Sequence, residues 1–376
     1  MTNSQYSMFN KNRRPLFLAG AFIVCCTLQS VAQSFKVEID SIDKTVQPFY
    51  KASAKTIQYT GRIDFSNADK PRAWSPGVYS TINFKGNAVT VVINDQELWG
   101  KNHNYLEVIV DNEKKRIQTK YKTNYITIAQ LSNTTHTLII CKNTESNIGY
   151  IEFAGLYCDA LITPPKKPVR KIEFIGNSIT CGASSDASEI PCGKGVWQDQ
   201  HNAYMAYGPV TARTLNAQWH LSSVSGIGLI HSCCNMTIVM PPVFDKTDMR
   251  GDSIPWDFKQ YQPDVVTVCL GQNDGIQDSV SFCTAYLNFI NRLRKYYPSA
   301  SIIVLTSPMA DEKLKAVMKN QITAVVQSLN KAGDKKISKY FFSRSYNSGC
   351  DYHPDLNDHQ LIATELTAYI RKLMRW

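Results

Sequence analysis

The chain has no cysteine pair spaced Cys-x-x-Cys and no cluster of histidines, so the usual pattern of a structural metal site is missing. It has no dense Lys/Arg block with interleaved aromatics. Its formal charge of +10 therefore reads as general surface charge, and nucleic acid is not an expected partner. Internal repeats and low-complexity blocks are absent. Long apolar runs are scarce as well: the stretch from Leu16 to Leu28 is too short to span a bilayer comfortably. It follows Lys11, Arg13 and Arg14 and precedes Ser30 and Ala32, the layout of an export signal cleaved after Ala32 or Gln33. Cys25 and Cys26 lie inside this run without the small-residue context of a lipid-modified cysteine. A secreted or periplasmic product with no membrane span in the mature chain is expected, with residues 1–33 as the signal peptide. Removing the three leader cations lowers the formal charge to +7.

Nine cysteines remain after the leader, at 141, 158, 181, 192, 233, 234, 269, 283 and 350. An oxidising compartment permits disulfides, yet the odd count leaves at least one thiol unpaired within the chain, and spacing alone gives no connectivity. Cys269, inside a buried-strand pattern, reads as a small core residue. His353 and His359, with Asp355 and Asp358 between them, form only a weak ligand pattern; helix-start and surface roles are preferred, and no metal or cofactor is expected.

The length suits two domains. From residue 34 to 160 short β-rich runs recur at Val78–Phe84, Ala88–Ile93, Tyr105–Val110, Tyr125–Ile128, Thr137–Cys141 and Tyr150–Tyr157. Lys85-Gly86-Asn87, Asn94-Asp95, Asp111-Asn112 and Ser132-Asn133 separate them as turns. This predicts an antiparallel β-sandwich, a jelly roll. Residues 161–168, with three prolines, read as a stiff linker. From 169 to 376 strands alternate with helices: strands at Ile172–Ile175, Trp219–Val224, Asp264–Leu270, Ser301–Thr306 and Lys339–Phe342. Helices are expected over Asn202–Asn216, with an interruption near Gly208-Pro209, and over Val280–Tyr296, Glu312–Lys331 and Asp358–Leu373. Such alternation predicts an α/β/α layering around a parallel sheet.

The stretch Lys171–Gly182, KIEFIGNSITCG, organises this second half. Its apolar strand stops at Gly176-Asn177-Ser178, presenting a serine hydroxyl where open α/β sheets bind ligands, beside the N–H groups of a helix start. An isolated serine there is most simply a helix cap. Three further stretches fall at strand exits or before the last helix: Ser225-Gly226-Ile227-Gly228, Gly271-Gln272-Asn273-Asp274-Gly275 and Cys350-Asp351-Tyr352-His353-Pro354. A parallel sheet brings these to one edge. The G-x-S-x-G elbow of an ordinary α/β-hydrolase does not occur.

In this order the four stretches resemble the SGNH (GDSL-like) hydrolase superfamily, with Ser178, Gly226, Asn273 and His353 as its four named residues. Together with Trp74-Ser75-Pro76-Gly77 in the β-domain, they look like carbohydrate esterase family two, the acetyl esterases of plant polysaccharides. The resemblance implies a serine esterase acting on acetylated polysaccharide or oligosaccharide. Three departures stand out: Asn177 where the superfamily usually has Asp, Cys350 where its acid usually lies, and Tyr352 where a tryptophan is expected. Asp351 fits the narrower family as the acid. The chemistry asks Ser178 to attack, His353 to carry the proton, and Asp351 or a backbone carbonyl to orient the ring. Ser178 N–H, Gly226 N–H (or Gly228 N–H) and the Asn273 amide would hold the oxyanion. Tyr352, Trp197 and Trp256 are the candidates for stacking on sugar, with core packing preferred for both tryptophans. Other readings are a lipid or thioester hydrolase of the same superfamily and an inert glycan-binding protein. The β-domain reads as a wall of the cleft. Oligomeric state is left open.

Overall fold

The computed structural model describes residues 35–251 and 254–376, and the expected leader lies outside them. Strands in the first half are β1 (Lys36–Asp40), β2 (Phe49–Lys51), β3 (Gln58–Thr60), β4 (Arg72–Ala73), β5 (Tyr79–Gly86) and β6 (Val89–Asp95). They continue as β7 (Tyr105–Val110), β8 (Glu113–Gln118), β9 (Thr123–Ala129), β10 (Thr134–Lys142), β11 (Ile151–Tyr157) and β12 (Ala160–Ile162). One antiparallel sheet runs β1-β9-β6-β11-β2 with β4 also on β11; the other runs β12-β5-β10-β7-β8 with β3 on β5. Alternate residues point inward, so Ile82, Phe84, Val89, Val91, Val108, Ile126 and Leu138 form one apolar core between the sheets.

Two departures from the sequence reading have local causes. The segment Glu113-Lys-Lys-Arg-Ile-Gln118 has no apolar alternation, yet it forms β8, an edge strand that pairs, among the described residues, only with β7. Charged side chains suit an edge, where they discourage further pairing. The expected linker 161–168 begins too early: Leu161 and Ile162 pair with Phe84 and Asn83 as part of β12, and the strand-free stretch starts at Thr163.

In the second half, β13 (Arg170–Gly176), β14 (Ala217–Ser223), β15 (Val265–Val268), β16 (Ser301–Leu305) and β17 (Ile337–Tyr340) form a parallel sheet in the order β14-β13-β15-β16-β17. The helices are α1 (Ser178–Cys181), α2 (Tyr207–Thr214), α3 (Met240–Val243), α4 (Ser279–Tyr296), α5 (Glu312–Lys331) and α6 (Leu356–Met374). Val266, Val268, Ile302 and Val304 face α4 and α5. Phe174, Val265, Ile303 and Leu305 face α2 and α6. The helix expected over 202–216 is instead a 3-10 turn at Ala203–Met205 followed by α2, with the break at Ala206. Pro209 falls in the first turn of α2, where its missing N–H has no partner to lose.

The two halves pack over a broad, specific seam. Trp219 on β14 stacks on Tyr79, with ring centroids 4.1 Å apart, and its Nε1–H donates to Gly77 O at 2.9 Å. Gly77, from the Trp-Ser-Pro-Gly segment, has φ +71, and a Cβ there would come within 2.7 Å of Leu221. Arg62 reaches Glu173 on β13 at 3.0 Å, with both side chains fully buried. The seam therefore holds the sandwich against the two strands that end at the candidate site.

Candidate active site

Strand order puts β13 between β14 and β15, the crossing point of the sheet where the connections diverge and a crevice opens. Ser178 is the first residue of α1, directly beyond β13. Asn177 caps the helix by accepting Ile179 N–H at 3.2 Å, and Gly182 ends it in the left-handed region at φ +69. Gly176 is required by space: a Cβ would lie 2.1 Å from Thr180 Oγ1. Ser178 is itself 8% exposed and opens only into the cleft.

His353 enters from the far end of the chain. Its Nε2 lies 2.9 Å from Ser178 Oγ, and its Nδ1 lies 3.1 Å from the main-chain oxygen of Asp351. A carbonyl can only accept, so Nδ1 carries the proton and Nε2 is left to accept from the serine hydroxyl. The Asp351 carboxylate expected on the ring is exposed and makes no hydrogen bond to it; the backbone carbonyl of the same residue takes that place. Asp351 and Tyr352 adopt φ +51 and +58, which folds the chain back so that a carbonyl two residues earlier meets the imidazole. Two consecutive non-glycine residues in that region carry strain typical of functional loops. The loop is tied down by the Cys192–Cys350 disulfide, by Cys350 N–H to Ser184 O at 3.1 Å, and by Gly349 N–H to His353 O at 2.7 Å. Cys350, at the position of the superfamily's usual acid, is thus a tether. Burial holds the His353 imidazole below its ordinary range, partly offset by the Asp351 carbonyl. Asp351→Ala is expected to keep kcat within about threefold of the parent, since the carbonyl remains; steady-state kinetics on an aryl acetate check this, and a loss beyond about a hundredfold would return the role to the carboxylate.

Beyond β14, Gly226 has φ +81, and its N–H has no hydrogen-bond partner among the described residues. Gly228, the alternative donor, is already engaged: its N–H donates to Ser232 Oγ at 3.0 Å. Beyond β15, Asn273 Nδ2 donates one proton to Ile227 O at 2.8 Å, leaving the second for the cleft. The neighbouring Asp274 carboxylate accepts N–H groups from Leu229, Ile230 and His231 at 2.9, 2.7 and 3.0 Å. It pins the loop that follows Gly226.

Ser178, Gly226, Asn273, His353 and Trp197 line one cleft of about 370 Å³ together with Asn147, Ser225, Cys233, Cys234, Met236 and Arg250. Of the stacking candidates, Trp197 is on the cleft and 39% exposed, braced edge-on against His201. Tyr352 is 78% exposed and does not line the cleft. Trp256 drops out as a stacking candidate and follows the preferred core reading: it is buried away from the cleft, against His220 and beside the Arg62 guanidinium, where it covers the seam between the halves. Asn147 and Arg250 were not legible in sequence, since neither lies in a motif; Asp274 was legible only as the neighbour of Asn273. Asp355 caps α6, Asp358 accepts Ser348 N–H, and His359 Nδ1 accepts Tyr207 N–H.

The family model described as Carbohydrate esterase 2 N-terminal matches residues 59–165, and that of the GDSL-like Lipase/Acylhydrolase family matches 174–338. A cellulase/esterase, CelE, of Acetivibrio thermocellus is 34% identical over 338 residues, covering 85% of this chain, which spans only 40% of that relative's length. An acetylxylan esterase / glucomannan deacetylase of Cellvibrio japonicus is 28% identical, covering 86% of this chain and 91% of the relative. Among solved structures, a family two carbohydrate esterase from Clostridium thermocellum in complex with cellohexaose is 32% identical with a TM-score of 0.79, covering 85% of this chain and 99% of that one. Fold and matches together define a GDSL-like esterase with an added β-domain. The chain belongs to carbohydrate esterase family two.

Proposed function

We propose that this carbohydrate esterase is exported and removes acetyl groups from xylan or a related hemicellulose through an acyl-enzyme on Ser178. The observation that carries the reading is the 2.9 Å contact between Ser178 Oγ and His353 Nε2, in a cleft that is also lined by Gly226, whose N–H has no partner among the described residues, and by the side-chain amide of Asn273. Ser178 Oγ attacks the acetyl carbonyl carbon while its proton passes to His353 Nε2. The carbonyl oxygen, now an anion, is held by N–H of Ser178 and Gly226 and by the second Nδ2 proton of Asn273. On collapse the ester C–O bond breaks, and His353 returns the proton to the departing sugar oxygen. Water, deprotonated by the same imidazole, then releases acetate and restores the serine. The Asp351 carbonyl keeps Nδ1–H in place throughout, making the pair a dyad steered by the main chain. Leader pattern and family membership support the export.

The test is acetate release from acetylated xylan, acetylated glucomannan and a long-chain aryl ester side by side, followed against pH. Release from the polysaccharides with little turnover of the long-chain ester is expected, and equal turnover would favour a lipid hydrolase. The base must be the neutral imidazole, and burial lowers its pKa. Activity is therefore full above the ordinary histidine range and is lost as pH falls through the depressed value, so the acid limb of kcat/KM is expected below about pH 6.5. A limb above pH 7 would mean that the carboxylate of Asp351 supports the cation after all.

A further inference from the structure

We propose that Glu145, a residue of the β-sandwich, is a positioning residue for the anion cradle: its carboxylate holds Ser225 N–H and so fixes the direction of Gly226 N–H. This rests on the reading of Gly226 as an oxyanion donor. Glu145 Oε2 accepts Ser225 N–H at 2.7 Å, with both residues buried. Ser225 and Gly226 are the corner residues of a turn closed by Ile227 N–H to Val224 O at 3.3 Å, and Gly226 at φ +81 gives it type II geometry. The peptide between the corners bears the donor. Its neighbours are tied on both sides, Ser225 N–H to Glu145 and Gly226 O to Cys233 N–H at 2.9 Å.

The loop that delivers Glu145 is built for rigidity. Lys142 Nζ, fully buried, donates to the main-chain oxygens of Trp74, Thr144 and Glu145 at 3.1, 2.6 and 3.2 Å. Asn143 accepts Tyr204 N–H at 3.0 Å and donates to Glu107 at 2.8 Å, keying the loop into both halves. Two residues beyond Glu145, Asn147 reaches the cleft. The other carboxylate oxygen, Oε1, has no hydrogen-bond partner among the described residues and faces His201 Nε2 at 3.8 Å. A fully buried carboxylate is costly to keep. The sandwich core does not require one; the catalytic turn does. Cys181 and His201 are titratable groups that face the carboxylate, and Lys142 lies in the same loop, its pKa pushed down to about 7 by burial. The β-domain thereby becomes part of the reaction centre as well as a wall.

The experiment compares Glu145→Ala, Glu145→Gln and Ser225→Pro on an aryl acetate, with thermal melts and titration of a xylo-oligosaccharide. Glu145→Ala is expected to lower kcat by about 10- to 100-fold, less than deletion of a donor because the N–H is displaced and not removed, with KM and oligosaccharide affinity within about threefold. Glu145→Gln, whose carbonyl oxygen can still accept, is expected to restore kcat to within about threefold. Ser225→Pro fits the first corner of a type II turn but brings no N–H, so it should repeat the loss with Glu145 intact; it also decides the matter if Glu145→Ala does not fold. Unchanged kcat in Ser225→Pro, or equal losses in the Gln and Ala variants, would overturn the inference. Activity that survives Ser178→Ala would instead overturn the reading of the site on which it rests.

Discussion

In the Ser178→Ala variant, hydrolysis of an aryl acetate is expected to fall by about 10⁴-fold or more in kcat while the fold is retained. The size follows from the chemistry proposed. A water held in the empty hydroxyl's place has no covalent intermediate to form, and His353 Nε2, 2.9 Å from that hydroxyl, loses the proton it is oriented to take. The side chain is small and ends in the cleft, so its removal leaves the core around α1 intact. Labelling with a fluorophosphonate makes the same point without turnover: the adduct should sit on the peptide containing Ser178 and vanish in the variant. An adduct on another serine, or unchanged labelling of Ser178→Ala, would remove the proposed nucleophile.

Asn273→Ala carries the next largest expectation, a loss of about 10²- to 10³-fold in kcat with KM changed far less, the usual consequence of deleting one oxyanion donor. The amide nitrogen spends one proton on Ile227 O at 2.8 Å and has one left for the developing charge. Deletion therefore also unpairs the Ile227 carbonyl, worth about 1 kcal/mol of stability by the usual cost of a lost hydrogen bond. Thermal melts separate this from the catalytic effect. A variant with lowered Tm but parental kcat would show that Asn273 only braces the loop. The two predictions differ in kind: one removes the attacking atom, the other removes stabilisation of charge that exists only in the transition state.

How much of this was legible beforehand depends on what each residue does. The central strands of the parallel sheet were readable as short continuous apolar runs, since they are buried on both faces, and α5 by a 3.6-residue apolar period that marks its buried face. β8 was not, because an edge strand of lysines and glutamate has no buried face to announce. Ser178, Gly226, Asn273 and His353 were readable because each stands in a short motif at a strand exit or helix start, where a parallel sheet leaves its ligand crevice. Glu145 and Asn147 were not. They lie in a loop of the other half of the chain, and their meaning comes from contacts with residues at least eighty positions away in the case of Glu145 and Ser225. Trp256 showed the converse: an aromatic near motifs in sequence, buried at a seam in space.

The order of residues by itself determined the two-layer plan, a β-sandwich followed by a parallel α/β sheet, and the set of polar groups delivered to one edge of that sheet. Tertiary structure alone decided which atoms do the orienting. A consecutive pair of left-handed residues turned the Asp351 carbonyl, not its carboxylate, onto the imidazole, and the Cys192–Cys350 bridge held that loop in place. The physical reason is range. Apolar periodicity is a local property that each segment carries alone, whereas a hydrogen bond of about 3 Å depends on where distant backbones are brought to rest.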